Sequence, residues 1–318
     1  MNISPHNSNI LKIPFWQRES YDEMTNEIKE TEKYIDPLYI ILMPGSLHLI
    51  NLCLRYIPKS ENIFLILNGI SEWEQDWAKS NLEVKGTITS FVTLDHPVVL
   101  NALFDVLNKP FGIIDYDCFF SRRFNFQLFK KVSSNSLGNA IFFQYINKLK
   151  FYLPHTHALF FNTTAVKSIM RKYNVDCRRI EYDALSCKKK RSLLKIGINK
   201  ECLPEEDYNF DTLKLIILFG LLEGKEFSRV LDIDKAAAFH VGCISNPERY
   251  SNRWSKRASY FWQKALMLNN DKDLVLYYQS QYPNLPSLEM LKVSLMNDGF
   301  TKNDFFTNVE KVLSDSDI

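Results

Sequence analysis

The sequence predicts an α/β protein in which a mostly parallel, Rossmann-like mixed sheet is flanked by helices, with further helices at the C-terminus. Short apolar runs alternate with segments of helical periodicity, and each run ends in a turn or polar cluster. Runs that are apolar throughout are typical of strands buried on both faces, as in parallel sheets covered by helices. Hydrophobic residues make up 46% of the 318 residues and charged residues 24%, which indicates a globular chain rather than a disordered or fibrous one.

Four apolar runs predict the core strands, at residues 38–43, 63–67, 87–94 and 111–114. Ligands of such sheets bind at the carboxyl ends of the strands, so the residues that follow each run are the candidates for binding. These candidate positions are Pro44, Gly45, Ser46, Asn68, Asp95, Asp115 and Tyr116.

The remaining elements are expected mainly as helices. They are helices at 20–36, 47–56, 97–107, 163–173, 211–222 and 247–268, a strand at 158–162, a solvated loop at 187–191, and one or two helices in the tail. The expected organisation is an N-terminal extension over residues 1–36, a main domain over residues 37–245 with halves at about 37–150 and 151–245, and a helical region over residues 246–318.

Composition narrows the classes of function. The formal net charge of +2 offers no global reason to expect a nucleic-acid partner. The six cysteines contain no CxxC pair, so we expect reduced thiols, mostly in the core, rather than a zinc ribbon. Residues 1–9 lack the pattern of a secretory leader, and the longest apolar run, residues 215–222, is too short to span a bilayer. We expect a cytosolic protein, with peripheral contact at the inner face of a membrane left open.

The most informative motif is Asp115-Tyr116-Asp117, which directly follows the fourth apolar run. Strand geometry places side chains at i and i+2 on one side, so the two carboxylates are expected to lie close together. Close carboxylates resist ionisation unless a cation or hydrogen-bond donors relieve them, and Mg²⁺ or Mn²⁺ suits their oxygens. The alternative is an ordinary solvent-exposed turn.

His240 is the second candidate, in the segment AAAFHVG. An imidazole is a competent ligand for Mn²⁺, and the glycine at 242 allows close backbone approach. For a single histidine on an apolar stretch, the alternative is a core residue with satisfied hydrogen bonds. The combination with Asp117 favours a metal site.

Three segments together resemble the GT-A fold glycosyltransferases that use nucleotide-diphosphate sugars. LFDVLNKPFGIIDYDCFF (residues 103–120) is similar to the metal-binding strand of that family, FHVGCIS (239–245) to its late histidine loop, and LYIILMPGS (38–46) to its first strand. The resemblance implies a Mn²⁺ or Mg²⁺ cofactor held by Asp115, Asp117 and His240, with Asp115 contacting the metal or the ribose. It also implies a nucleotide-diphosphate sugar donor, a glycan or lipid-linked acceptor, and by class a role in bacterial surface polysaccharide synthesis.

Inverting members of that family place an acidic residue at a helix start facing the acceptor hydroxyl. Asp211 occupies the predicted start of the apolar helix, and Glu206 and Asp207 lie just before it. Each is a candidate catalytic base, although Asp211 would serve equally as an N-cap. A retaining enzyme would need no base in this role.

Basic residues follow the histidine loop at helical spacing: Arg249, Arg253, Lys256 and Arg257. They predict either an electropositive wall for a diphosphate, an anionic acceptor or a membrane surface, or an ordinary solvated face. The pair His155 and His157 has the HxH spacing of two metal ligands, but with no third ligand evident a structural role is expected.

Two other functions remain open. A nucleotidyltransferase acting on sugar phosphates also uses paired carboxylates and a metal, and a non-catalytic glycosyltransferase-like binding module would keep the fold without the chemistry. GxGxxG after a first strand, GxxxxGK[ST] and GxSxG do not occur, which disfavours a dinucleotide-binding dehydrogenase, a P-loop enzyme and an α/β-hydrolase.

Overall fold

The computed structural model describes residues 13–146, 151–202, 209–230, 238–242, 247–248, 250–300 and 305–314. Within these ranges the α-helices are Arg18–Glu30 (α1), Leu47–Leu54 (α2), Glu72–Asn81 (α3), His96–Val106 (α4), Phe126–Lys130 (α5), Thr163–Tyr173 (α6), Cys187–Leu194 (α7), Lys214–Leu222 (α8), Arg253–Met267 (α9), Lys272–Gln281 (α10), Leu288–Asn297 (α11) and Thr307–Leu313 (α12).

The strands in the same ranges are Leu38–Leu42 (β1), Ile63–Asn68 (β2), Gly86–Ser90 (β3), Phe111–Ile114 (β4), Cys118–Phe120 (β5), Gly138–Ala140 (β6), Phe143–Ile146 (β7), Phe151–Pro154 (β8), Ala158–Phe161 (β9), Ile180–Glu181 (β10), Asn209–Phe210 (β11), Phe227–Arg229 (β12) and Ala238–His240 (β13).

Seven strands form the central sheet, in the order β12-β6-β9-β4-β1-β2-β3. β1 pairs in parallel with β2 and β4, β2 with β3, and β12 with β6, whereas β9 runs antiparallel to both β4 and β6. The expected mostly parallel mixed sheet is therefore confirmed. The chain builds outward from β1 on one side and then crosses to its other side, so the topological switch point, where such sheets bind ligands, lies between β1 and β4.

The central strand β1 separates two apolar cores because alternate side chains point to opposite faces of the sheet. Leu38 and Ile40 belong to the core that α2, α3 and the C-terminal helices α9 to α12 cover. Tyr39 and Ile41 belong to the core that α1, α4, α6 and α8 cover. All five residues of the strand are buried, which explains why the sequence is apolar throughout rather than alternating.

The C-terminal helices are bound to the loop that follows β1. Trp262 on α9 donates its indole N–H to the Gly45 carbonyl at 2.7 Å, and Tyr278 on α10 accepts from the Leu47 N–H at 3.1 Å. The same Tyr278 hydroxyl donates to the buried carboxylate of Glu74 at 2.8 Å, which in turn accepts from the Gly45 N–H at 2.9 Å. One hydrogen-bond network therefore joins the first strand loop, α3 and the helical region.

Several sequence expectations are wrong in their boundaries. Residues 187–191, expected as a loop, lie in α7, which Ser186 caps by accepting from the Lys189 N–H. The third strand ends at Ser90 rather than continuing to residue 94. The helix expected at 247–268 begins at Arg253, where Asn252 forms a capping box. The described part of the tail holds three helices, α10 to α12, instead of one or two.

The structure also bears on the expected burial of the cysteines and on the expected lack of a membrane-spanning segment. Cys53, Cys118 and Cys177 are free and buried, as expected of core cysteines, whereas Cys187 is exposed and Cys243 lies outside the described residues. None of the helices in the described ranges combines the length and the apolar character needed to cross a bilayer.

His48 provides a test of the contact between α2 and the C-terminal helices. Its ring is fully buried, packs edge-on against Trp262, and places Nε2 3.1 Å from the Trp262 carbonyl oxygen, while Nδ1 has no partner. Burial lowers the pKa of His48 to about 3, because the charged ring would lose its hydration.

We predict that this histidine makes the fold acid-sensitive. The unfolded chain binds a proton near pH 6.5 and the folded chain does not, so the free energy of unfolding falls as pH drops from 6.5 towards 3. His48→Gln keeps an amide donor for the Trp262 carbonyl but does not titrate. Urea unfolding at several pH values should show that the difference in stability between the two proteins changes across this window by an amount on the order of a few kcal/mol. A difference that is constant from pH 7 to pH 4 would contradict the assignment.

Candidate functional site

The candidate site begins at the carboxyl end of β4. Asp115 directly follows the strand, and its backbone N–H donates to the His157 carbonyl at 2.8 Å. The chain then turns, with the Cys118 N–H donating to the Asp115 carbonyl at 3.0 Å. The two aspartates therefore approach each other through a tight turn rather than through the strand alternation that the sequence suggested. The turn leads into β5.

The late histidine is delivered to this turn by strand pairing. β13 runs antiparallel to β5 and places His240 opposite Cys118. Beyond the strand, the Val241 N–H donates to the Asp117 carbonyl at 3.3 Å, and the Gly242 N–H donates to Asp117 Oδ2 at 2.8 Å. Segments about 125 residues apart in the chain are thus joined by backbone hydrogen bonds.

Gly242 is required at its position by geometry. Its φ is +75°, in the left-handed region that L side chains rarely adopt, and an added Cβ would lie 3.2 Å from the His240 ring. The neighbouring Val241 carbonyl accepts a hydrogen bond from Arg257 Nη2 on α9. The loop after β13 is therefore held from both sides, by the aspartate turn and by a C-terminal helix.

The side chains converge on a small polar cluster. His240 Nε2 lies 3.2 Å from Asp117 Oδ1 and 3.5 Å from Asp115 Oδ2. His157 Nδ1 lies 3.1 Å from the same oxygen of Asp115, and its ring stacks on that of His240 with centroids 3.5 Å apart. Asp117 is only 4% exposed. Two carboxylates and two imidazoles therefore share one largely buried site.

The charges in this cluster are coupled. Burial opposes the charge on His240, but the carboxylates of Asp117 and Asp115 outweigh it and raise its pKa to about 9. Burial likewise opposes the charge on Asp115, and hydrogen bonds from His157 and His240 hold its pKa well below the usual range. At neutral pH His240 is therefore a cation that relieves the repulsion between the two carboxylates.

The cluster has the donors and the spacing of a metal site. One ligand atom each from Asp115, His157 and His240 can be chosen so that all three lie within 4.8 Å of one another. Carboxylate oxygen and imidazole nitrogen together suit transition ions such as Mn²⁺ better than Mg²⁺, which prefers oxygen alone. The role predicted for Asp117 as a direct ligand stays a prediction; its Oδ2 already accepts from Gly242.

His157 is the residue that sequence reasoning missed. The HxH pair was visible, but the third ligand could not be found without knowing that β9 is the antiparallel neighbour of β4. His155 stacks on His157 with centroids 5.1 Å apart, and burial lowers its pKa to about 4. Burial also lowers the pKa of His96, and the charges of Asp115 and Asp211 act against this effect.

The candidate catalytic bases have different positions. Asp211 is exposed and accepts from the Thr212 N–H at 2.7 Å. It does not begin or cap the apolar helix, because Leu213, with φ +64°, occupies the N-cap and α8 starts at Lys214. The charge of Asp211 partly offsets the lowering of the Lys214 pKa by burial. Glu206, Asp207 and the basic residue Arg249 lie outside the described residues.

Two of the predicted nucleotide-contacting side chains are already used within the protein. Asn68 is fully buried, and its amide donates to the Leu94 carbonyl at 2.8 Å and accepts from the Leu94 N–H at 2.9 Å. Ser46 is 1% exposed and donates to the Met43 carbonyl. Each side chain therefore holds a loop at the carboxyl edge of the sheet, and direct contact of either one with a ligand stays a prediction.

The remaining candidates lie in the loops after β1, β3 and β4 and at the start of α9. Pro44 and Gly45 follow β1, and Gly45 has φ +83°. Asp95 is exposed at the N-cap of α4, without a side-chain capping bond. Tyr116 is 8% exposed and belongs to the core beneath the turn. Arg253 is exposed, with its guanidinium 4.5 Å from the centre of the Trp254 ring.

The fold and site define an α/β protein with a carboxylate–imidazole centre at the switch point of its sheet. Comparison with known families adds a more particular relation: residues 16–166 match the family model described as the StrH glycosyltransferase N-terminal domain. The match covers slightly less than half of the chain and supports a glycosyltransferase-related family. No curated protein matches the chain.

The matched region ends within α6, so it contains Asp115, Asp117, His155 and His157 but not His240. The histidine that completes the cluster therefore comes from the part of the chain beyond the match. The two parts meet through the pairing of β13 with β5.

We predict that Asp117 raises the pKa of His240 in the metal-free protein. Imidazole C–H resonances followed by NMR against pH should titrate near 9 for His240. Asp117→Asn removes one of the two carboxylates that offset the effect of burial on His240. The pKa of His240 should therefore fall towards or below 6.5. Because the folded pKa is raised, the pairing stabilises the protein below pH 6.5 and loses its effect as pH rises through 9.

Asp298→Asn is the matched control, since it removes a carboxylate paired with Lys256 at 2.9 Å on the helical region. It should leave the His240 titration unchanged. An unchanged titration in Asp117→Asn would show that the two side chains do not interact in solution.

Proposed function

We propose that the protein is a metal-dependent glycosyltransferase that moves a sugar from a nucleotide-diphosphate donor to a glycan or lipid-linked acceptor. The observation that carries the proposal is the convergence of Asp115, His157 and His240 at the carboxyl end of β4. The family match supports transfer of a glycosyl group in general terms. We infer the donor and the acceptor from the resemblance to GT-A glycosyltransferases, and the metal from that resemblance and from the chemistry of the site.

The residues fit a divalent cation because two carboxylates lie close together, and their negative charge raises the pKa of His240. Asp115, His157 and His240 would supply ligand atoms to the ion, and Asp117 is proposed as a further ligand beside His240. When bound, the ion would neutralise the charge of a leaving diphosphate, which is Lewis-acid assistance. His240 must release its proton to serve as a ligand, so metal binding and protonation of this residue compete.

The donor would bind across the ends of β1 and β4. In the turn after β1, Pro44 is partly exposed, whereas Gly45 is buried in a left-handed conformation and its N–H and carbonyl are bonded to Glu74 and Trp262. The diphosphate would lie at the aspartate turn, and the arginines of α9 would add positive charge on the far side. Arg257 holds the Val241 carbonyl, and Arg253 is exposed one turn earlier on the same helix.

The acceptor would approach from the side of α8. For an inverting reaction, an acidic residue must remove the proton of the acceptor hydroxyl as its oxygen attacks the anomeric carbon. Asp211 is the described residue best suited to this role, because its carboxylate is exposed and close enough to His96 and Lys214 to influence both. Glu206 and Asp207 remain alternatives on the segment before it.

We predict metal-dependent stabilisation by nucleoside diphosphates. Thermal unfolding should be followed with UDP, GDP, ADP, CDP and dTDP, each with and without Mn²⁺. At a hundredfold excess over the dissociation constant, a ligand of the folded state stabilises it by about 2.7 kcal/mol, which raises the midpoint by several degrees. Asp115→Asn should abolish the shift that requires Mn²⁺, whereas Asp298→Asn should keep it.

Equal shifts in the parent and in Asp115→Asn would contradict the assignment of the metal site. Once a nucleotide is identified, incubation of the matching sugar nucleotide separates two classes of reaction. A released nucleoside diphosphate supports sugar transfer, and released pyrophosphate supports a nucleotidyltransferase. Metal-dependent binding without either product would favour a binding module.

Two glycines allow the effect of backbone strain on stability to be distinguished from an effect on the site. Gly242 and Gly224 have similar φ values, +75° and +70°, but an added Cβ contacts His240 only at position 242 and meets nothing within 4 Å at position 224. Alanine at either position should lower the free energy of unfolding by about 1–2 kcal/mol. Only Gly242→Ala should also weaken Mn²⁺-dependent nucleotide binding, measured by isothermal titration calorimetry. Equal weakening in both variants would mean that the loop does not position the site.

A further inference from the structure

A second cleft lies between α3 and α10, along the outer side of the network that joins these helices. It has a volume of about 630 Å³ and is lined by Trp73, Asp76, Trp77, Ser80, Asn81, Asp271, Asp273, Leu276 and Tyr277. The residues from α3 recur at i, i+3, i+4, i+7 and i+8, so they form one face of that helix. None of the residues assigned to the candidate metal centre lines it.

One wall of this cleft is formed by two stacked aromatic rings that are held in place before any ligand binds. Trp73 is 37% exposed and stacks on Tyr277, with ring centroids 4.0 Å apart and an angle of 18° between the planes. The Tyr277 hydroxyl lies 2.8 Å from the Ser71 hydroxyl, which fixes the lower ring. The indole is therefore held by its neighbour on one face and presents the other, so little conformational entropy is lost when a ligand covers it.

Trp77, at the floor of the cleft, is also held in place. Trp77 is buried and donates its indole N–H to Asp271 Oδ2 at 2.7 Å. The other oxygen of Asp271 caps α10 by accepting from the backbone N–H groups of Asp273 and Leu274, each at 3.0 Å. Asp271 is thus committed to the fold and does not need a ligand to satisfy it.

Other polar groups in the cleft remain available. Asp76 and Asp273 are exposed, and neither side chain forms an ion pair or accepts a hydrogen bond within the described part of the chain. Ser80 adds a hydroxyl one turn further along α3, and Asn81 adds an amide whose Nδ2 also donates to the Trp77 carbonyl at 2.8 Å. The lining contains no lysine or arginine, so it repels phosphate, sulfate and carboxylate ligands.

We propose that this cleft is a binding site for an uncharged oligosaccharide. The apolar face of a pyranose ring packs on a flat indole, and carboxylate oxygens accept strong hydrogen bonds from the hydroxyls at its edge. The polar positions extend from Asp76 to Asn81, and the lining from Trp73 to Asn81 spans about 12 Å of helix, which suits a short chain of sugar rings better than a compact organic cation. A cation would be better served by several aromatic faces around one centre than by one flat face.

The site goes beyond the proposed transfer reaction and is tested by binding alone. We would screen an immobilised glycan panel containing neutral, amino-bearing and acidic oligosaccharides, and then titrate a soluble neutral oligosaccharide that scores in the panel while following the indole N–H resonances by NMR. Neutral glycans should bind and acidic ones should not. The Trp73 resonance should shift during the titration, and 0.5 M NaCl should leave the affinity unchanged.

Trp73→Ala should weaken binding at least about tenfold, and Trp73→Phe should restore part of it, since a phenyl ring keeps a flat apolar face. Trp16→Ala removes a tryptophan that is 67% exposed elsewhere and is the matched control; it should bind like the parent. Asp115→Asn should also bind like the parent, which separates this site from the metal centre.

The proposal would be overturned by the absence of binding by any neutral glycan or by equal weakening in Trp73→Ala and Trp16→Ala. It would also be overturned by a salt-sensitive shift of the Trp73 resonance with tetramethylammonium in place of the glycan. The last result would assign the cleft to organic cations. Loss of glycan binding in Asp115→Asn would place the sugar at the metal centre instead.

Discussion

The structure depends on two carboxylates held close together at the end of a buried strand. Asp115 and Asp117 both lie within 3.5 Å of one imidazole nitrogen, and Asp117 is buried. Two carboxylates this close repel each other, and nearby positive charge relieves that repulsion. The two carboxylates raise the pKa of His240 to about 9, so its protonated ring is suited to supply this charge at neutral pH.

This interaction joins distant parts of the chain. His240 is carried by a three-residue strand that pairs with β5, and the loop beyond it is fixed by Asp117 and by Arg257. Arg257 belongs to α9, whose Trp262 also holds the loop after β1. The two ends of the proposed donor site are thus connected through one helix, so a change in the packing of α9 would move both.

The central sheet could be predicted from the sequence because its strands carry a local signal. The run at 111–114 is apolar over its whole length and is the strand that the structure shows. The helix over Thr163–Tyr173 has a clear amphipathic period and an Asn162 cap, and its bounds were predicted correctly. The short strands β5 to β8 carry no such signal, since three or four residues do not establish a period.

The site was predictable only in part, for a related reason. Residue type and strand ends indicated Asp115, Asp117 and His240, and the structure brings all three together. His157 was given a structural role because the sequence does not show which residues lie beside it. The antiparallel pairing of β4 with β9 brings His157 next to Asp115. Asn68 shows that a polar residue at a strand end also serves to hold a neighbouring loop, through its two hydrogen bonds to Leu94.

If both proposals hold, the metal centre and the cleft between α3 and α10 divide the chemistry of sugar recognition between them. The centre at β4 balances concentrated negative charge and is suited to a cation and, through it, to phosphate groups. The cleft between α3 and α10 has an aromatic face with exposed carboxylates and no basic side chain, so it is suited to the uncharged part of a glycan. Glu74 lies between the two, bonded to Gly45 on one side and to Tyr278 on the other. A glycan held along α3 would therefore rest on the same network that shapes the first strand loop, which gives a physical route by which occupancy of one cleft could stabilise the other.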